Sequence, residues 1–138
     1  MFSGTSIHSI DSKGRIILPA RFREQLGDSF IIAKGFFDCV QVLSVEEFEK
    51  LRGNIKKLPA QKALMLQYAL ISTAVETSPN SQGRIQSPQS LRERAELNKD
   101  AMVGGMDNRV EIWDKDKFEK MLAENQSAVS EALELLSL

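Results

Sequence analysis

Cysteine and histidine are almost missing from this 138-residue chain, which holds one of each, Cys39 and His8. A lone thiol cannot close an intrachain disulfide, and one thiol with one imidazole falls short of the four ligands of a structural zinc site. Nothing near His8 completes a catalytic constellation, so it reads as a surface or packing residue, and Cys39 as a small buried hydrophobe. The chain also lacks a P-loop, a dinucleotide fingerprint, a metal-binding helix and a nucleophile elbow. The expectation is a protein that is not an enzyme, with no cofactor, no metal and no small-molecule substrate. Long apolar runs are absent too, because charges interrupt them well before the roughly 18 residues of a membrane span. Met1-Phe2-Ser3-Gly4 lacks the basic and apolar regions of a signal peptide, which predicts a cytoplasmic protein without a membrane partner.

An excess of positive charge is the last thing missing: the formal net charge is -1. Affinity for a phosphate backbone comes from clustered cations, so distribution matters more than the sum. Residues 1–27 carry +2 and residues 107–138 carry -4. The segments around Lys13 to Arg23 and Arg84 to Lys99 are mildly basic, and a one-faced cationic surface is compatible with an acidic total.

What the chain does have is 42% apolar residues, enough for a real core, and an internal echo. Asp11-Ser12-Lys13-Gly14-Arg15-Ile16-Ile17-Leu18-Pro19 returns 69 positions later as Asn80-Ser81-Gln82-Gly83-Arg84-Ile85-Gln86-Ser87-Pro88, with Arg23-Glu24 echoed by Arg92-Glu93. One residue further out of step, Gly35 to Leu43 lies over Gly105 to Trp113, and Phe48-Glu49-Lys50 over Phe118-Glu119-Lys120. Each copy reads as strand, tight turn, short strand, short helix, hairpin and helix, an α+β pattern. The expected division is a first unit over 1–58, a connecting helix over 59–70, a second unit over 71–124 and a helical tail over 125–138.

The local chemistry is the same in both copies. Asp11 or Asn80 opens a turn by accepting backbone N–H bonds, and Gly14 or Gly83 supplies the positive φ that a residue with Cβ resists. Asparagine keeps the hydrogen bonding without the carboxylate charge, so Asp11, Gly14, Asn80 and Gly83 read as turn-structural. Pro19 and Pro88 preset a first helical turn, and Phe22 and Leu26 give the first helix its apolar side. Phe30 to Ala33 and Cys39 to Leu43 form a hairpin. Ser44-x-x-Glu47 is a capping box before the stripe Val45, Phe48, Leu51, Ile55, while Asp114 caps the helix of Phe118, Met121 and Leu122. Ala60 to Leu70 is strongly helix-forming, Thr73 to Thr77 has strand chemistry, and Val129, Ala132, Leu133 and Leu136 recur at helical spacing.

Arginine follows the turn glycine both times. A guanidinium there suits phosphate oxygens or the O6/N7 edge of guanine, and equally a neighbouring carboxylate or turn carbonyl. Arg15 and Arg84 are therefore the leading candidates for contact with double-stranded DNA. Lys13, matched by Gln82, is a candidate in the first turn only. Arg21, Arg23 and Arg92 are expected on the outward side of short helices, where they would complete a shared patch.

Ile10 to Pro19 followed by Arg21-Phe22-Arg23-Glu24 resembles the DNA-binding motif of AbrB-class regulators, and its presence twice in one chain is similar to the MraZ family. The Met1-Phe2-x-Gly4 start, the D-x-x-x-R element from Asp11 to Arg15 and Asn108 to Trp113 extend the likeness over nearly all the chain. Asn80 departs from the aspartate of that element. The resemblance implies a double swapped-hairpin β-barrel formed by two tandem AbrB-like repeats with flanking helices. It also implies ring-like homo-oligomers, nucleoid association, and transcriptional regulation at repeated promoter boxes of the division and cell-wall gene cluster. An oligomeric protein-interaction scaffold, like the AbrB-fold antitoxins, is the alternative.

Overall fold

The computed structural model describes residues 1–137. Eight strands and six helices follow one another as β1 (Thr5–Ser9), β2 (Arg15–Ile17), α1 (Ala20–Leu26), β3 (Phe30–Lys34), β4 (Val40–Ser44), α2 (Val45–Lys56), α3 (Ala60–Ala69), β5 (Val75–Thr77), β6 (Arg84–Gln86), α4 (Gln89–Arg94), β7 (Asp100–Gly105), β8 (Val110–Asp114), α5 (Lys115–Glu124) and α6 (Gln126–Glu134). A 3-10 turn over Ile71–Thr73 takes the place of the strand expected to begin at Thr73. There the Thr73 hydroxyl donates to the Leu70 carbonyl and accepts the Lys34 N–H, a local competition that favours a turn over a ladder.

Six strands form one antiparallel sheet in the order β1-β7-β8-β4-β3-β5, and β2 pairs with β6 in a separate two-stranded ribbon. The architecture is the expected α+β class, but the strands do not close into the expected barrel. The sheet ends in free edges at β1 and β5, because the Asp11 and Asn80 turns redirect the chain after each of them into strands of only three residues, which pair with each other. The pairing also runs far from sequence order: β1 lies along β7, with Ser6 opposite Val103, and β5 lies along β3, with Ile31 opposite Glu76.

Both faces of the central strands are covered, which is why Phe30 to Ala33 reads as an unbroken apolar run rather than an alternation. One face, carrying Phe30, Ile32, Val40, Val42, Ala101, Val103, Val110 and Ile112, buries Phe22 and Leu26 of α1, Leu91 of α4, and Ile16 and Ile85 of the ribbon. On the opposite face Ile31 and Leu43 meet Phe48 of α2, while Cys39, Met102 and Trp113 meet Phe118 and Met121 of α5. By strand alternation the register partners Gln41 and Glu111 lie on this same face, and both are buried. Glu111 is held by Arg109 (Nη2 to Oε2, 2.8 Å) and by the Trp113 indole N–H at 2.9 Å. Helix α3 packs through Ala63 and the following Leu70 on Ile55. The caps fall where expected: Ser44 Oγ accepts the Glu47 N–H at 3.1 Å, and Asp114 accepts that of Lys117 at 3.2 Å. The tail is helical from Gln126, its Leu133 half exposed at 48%, and Leu138 lies outside the described residues.

Candidate nucleic-acid interface

The ribbon of β2 and β6 carries the two turns at its opposite ends, since each turn immediately precedes one of two antiparallel strands. Arg15 is opposite Gln86, Ile16 opposite Ile85 and Ile17 opposite Arg84. Ile16 and Ile85 are buried, so by strand alternation Arg15, Ile17, Arg84 and Gln86 all stand on the other, outward face. Arg15 and Arg84 are diagonal partners, with Cα atoms about 7–8 Å apart. Both are half-buried, and the Arg15 side chain keeps 36% of its surface exposed.

The turns are built alike. Asp11 accepts the Gly14 N–H on its carbonyl at 2.9 Å, and Oδ1 accepts the N–H groups of Lys13 and Arg15 at 2.9 and 2.8 Å. Asn80 accepts the Gly83 N–H at 2.9 Å, and its Oδ1 accepts those of Gln82 and Arg84 at 3.0 and 2.9 Å. Gly14 and Gly83 have φ of 76° and 78°, the left-handed region that side chains resist.

The charge states differ. Asp11 Oδ2 accepts Arg15 Nε at 2.8 Å, so this guanidinium is oriented and partly neutralised. The Arg15 backbone N–H above all, then its side chain and the Lys13 N–H, hold the Asp11 carboxyl below its ordinary value of 3.8. Asn80 offers no charge, and Arg84 turns to the Gln82 amide oxygen instead. The exposed Lys13 has no counterpart in the second turn. Aspartate with lysine in one turn and asparagine with glutamine in the other leave the same formal charge of +1 at each.

The helix arginines do not share one environment. Arg21 donates to the Ser3 carbonyl at 2.9 Å and lies 4.4 Å over the Phe22 ring, so it is turned to the amino-terminal segment rather than to the turns. Arg94 lines a shallow cleft with Lys34 and Leu70. Arg23 and Arg92, expected to face outward, are half-buried and reach across to the turns. A Cβ on Gly14 would stand 2.7 Å from Arg92 Nε, and one on Gly83 would stand 2.6 Å from Arg23 Cζ. The structure thus brings Arg15, Arg84, Lys13, Arg23 and Arg92 to one ribbon and leaves Arg21 outside it. It adds Gln86, whose side-chain amide donates to the Lys13 carbonyl at 2.8 Å. A glutamine in a short polar strand carries no sequence signal for that bond, since its partner is 73 residues away.

His8 is an edge-strand residue whose ring meets Ser6 Oγ at 2.8 Å, and burial lowers its pKa. Burial pushes the Cys39 thiol up to about 12, the Glu111 charge adding to it, which leaves it protonated and inert. No helix among the described residues is long and apolar enough to cross a membrane.

Fold and site together define an α+β chain with two outward arginine turns on a shared ribbon, with no catalytic constellation among the described residues. A family described as "MraZ protein, putative antitoxin-like" matches over residues 1–66 and again over 70–135. Proteins named transcriptional regulator MraZ are similar along almost the whole chain. That of Acetivibrio thermocellus is 42% identical over 133 residues, 94% of this chain and 93% of the relative. That of Desulforamulus reducens is 40% identical over 136 residues, 97% and 96%. That of Ligilactobacillus salivarius is 45% identical over 121 residues, 86% and 85%. The chain belongs to the MraZ family.

Proposed function

We propose that this chain is a sequence-selective DNA-binding transcriptional regulator, cytoplasmic and nucleoid-associated, that acts as a ring-like homo-oligomer at repeated promoter boxes of the division and cell-wall gene cluster. The observation that carries the reading is the common outward face of Arg15 and Arg84 on the β2–β6 ribbon. The name of the relatives, transcriptional regulator MraZ, agrees with it. Residues 1–58 and 71–124 are taken as two copies of one unit joined by a helical connector and followed by a helical tail, a division supported by the two stretches that the family matches.

In this reading Arg15, Arg84 and Lys13 face the duplex. Arg15, already oriented by Asp11, suits bidentate contact with a guanine edge, and Arg84, without a carboxylate, suits phosphate. With one net positive charge per turn, a single chain binds weakly. Self-association repeats the turns and raises the effective concentration of each next contact. The exposed apolar residues Leu64, Met65, Tyr68, Val129 and Leu133 on α3 and α6 offer surface for it.

The test is a gel-shift titration with duplex DNA from upstream of the protein's own gene. Arg15→Ala combined with Arg84→Ala is expected to abolish the shift while the assembly state and Tm stay close to the parent, because both side chains stand on the outward face and neither belongs to the core. Each single variant should lower the slope of log K against log salt by about 1 if its arginine meets a phosphate. Unchanged affinity in the double variant refutes the assigned site.

A further inference from the structure

The topology of the ribbon dictates which helix meets which turn. Because β2 and β6 are antiparallel, the end of β2 lies beside the turn that opens β6, and Leu18 N–H donates to the Gly83 carbonyl at 3.0 Å. Pro19 then starts α1 next to the second turn, and Pro88 starts α4 next to the first. Arg23 and Arg92 each stand four residues after these prolines. A helical side chain leans back toward the amino terminus of its helix, so from one turn along both arginines return to the turn beside which their helix began. A Cβ added at Gly14 or Gly83 would overlap the guanidinium, so in each turn the flat group lies against a bare backbone. Arg92 is further anchored by donating to the carbonyl of Ser87, the residue that follows β6.

We infer that Arg23 and Arg92 are positioning residues that act crosswise, Arg92 holding the turn that presents Lys13 and Arg15, and Arg23 holding the turn that presents Arg84. The inference rests on the DNA-binding reading for its consequence, since it reassigns two arginines from phosphate contacts to supports of the groups that make contact. Its structural content stands apart from that reading. Each turn is steadied by the one arginine that reaches it from the helix beyond the opposite strand, so removing that arginine loosens its own turn and leaves the other held. It also gives the glycines a second requirement beside positive φ, because any Cβ displaces the arginine that steadies the turn.

Arg92→Met and Arg23→Met, each with the Arg→Lys variant beside it, test this in two measurements. Hydrogen–deuterium exchange on the free protein should show peptides over 11–18 exchanging about tenfold faster in R92M, with 80–87 unchanged, and the reverse in R23M. Lysine keeps the charge but not the planar fork, so R92K and R23K should loosen the same turns, and they serve alone should the methionine variants fail to fold. In gel shifts with the same upstream duplex, R92K should be strongly non-additive with Arg15→Ala and additive with Arg84→Ala, and R23K the converse. Turns that stay protected, or that loosen together, overturn the proposal. So does a lysine variant that keeps full DNA affinity, the behaviour of a direct phosphate contact. If Arg15→Ala with Arg84→Ala leaves DNA affinity intact, the DNA reading fails and the exchange measurement alone decides the crosswise support.

Discussion

Asp11 and Asn80 accept the same backbone hydrogen bonds, yet the charge they carry falls on the arginine four residues along. Asp11 ties Arg15 down through Oδ2, whereas Arg84 is left to the neutral Gln82. The Asp11 carboxyl is held below its ordinary value in the folded chain, so its contribution is fully present above that value. It is lost only as pH falls through the lowered one, well under neutrality. Asn80→Asp is therefore expected to build the same lock in the second turn at neutral pH and to take its formal charge from +1 to zero. A solvent-exposed pair of this kind is weak, so affinity for the duplex should fall only about two- to fivefold while Tm is unchanged or slightly higher. Equal affinity in N80D and parent, measured by fluorescence anisotropy at low salt, would show that a free guanidinium at Arg84 contributes nothing. The turn hydrogen bonds at Asp11 and Asn80 were legible from sequence because each partner lies within four residues. The direction of Arg23 and Arg92 was not, because a short amphipathic helix leaves a flanking arginine equally able to face solvent or to fold back.

At the scale of elements, local signals and partner choice separate cleanly. The cap at Ser44, the helix after Pro59 and the hairpin of β3 and β4 follow from residues near in sequence, and the structure has them. Val45, the first residue of α2, and Leu122 of α5 share the apolar stripes of their helices yet are 41% exposed each, while Phe48 and Ile55 of the same stripe as Val45 are buried. Which strand pairs with which has no local signal, and the β1–β7 and β5–β3 pairs join segments that are far apart in the chain. The open sheet in place of a barrel has the same origin. Three-residue strands satisfy one neighbour each, and β2 and β6 satisfy one another. This makes the ribbon the most sensitive element. Gly83→Ala places a side chain in the left-handed region, at a cost of about 1–3 kcal/mol, and also displaces Arg23. Gly27→Ala meets no atom within 4 Å, although its φ of 92° with ψ of -174° lies in a region that is itself essentially reserved for glycine. Thermal melts should show both variants destabilised by the backbone cost, while only G83A also loses DNA affinity. An equal loss in the two would mean that the effect is global softening rather than a displaced turn.

At the scale of the molecule, charge is arranged in a way that composition conceals. The acidic excess lies in residues 107–138, while the turns share a ribbon on the sheet face opposite to α5. Cations this few cannot give a single protomer much affinity, so the proposed regulator has to draw its strength from repetition, and repetition has a geometric signature. A ring presents successive ribbons at fixed intervals, and two boxes are engaged together only if they lie on the same side of the duplex, which recurs about every 10–10.5 base pairs. Linked engagement of a second box then raises apparent affinity by about 10²–10⁴ over a single box without any new kind of contact. Inserting about five base pairs between two boxes turns one of them to the far side, and inserting about ten restores the phase at greater distance. Binding curves on the four duplexes, one box, two boxes, two boxes plus five and two boxes plus ten, should therefore rank two boxes above plus ten, and plus ten above plus five, with plus five close to one box. Four curves that coincide would mean that each protomer binds alone, and the modest charge of a single ribbon would then be insufficient to account for regulation by this surface.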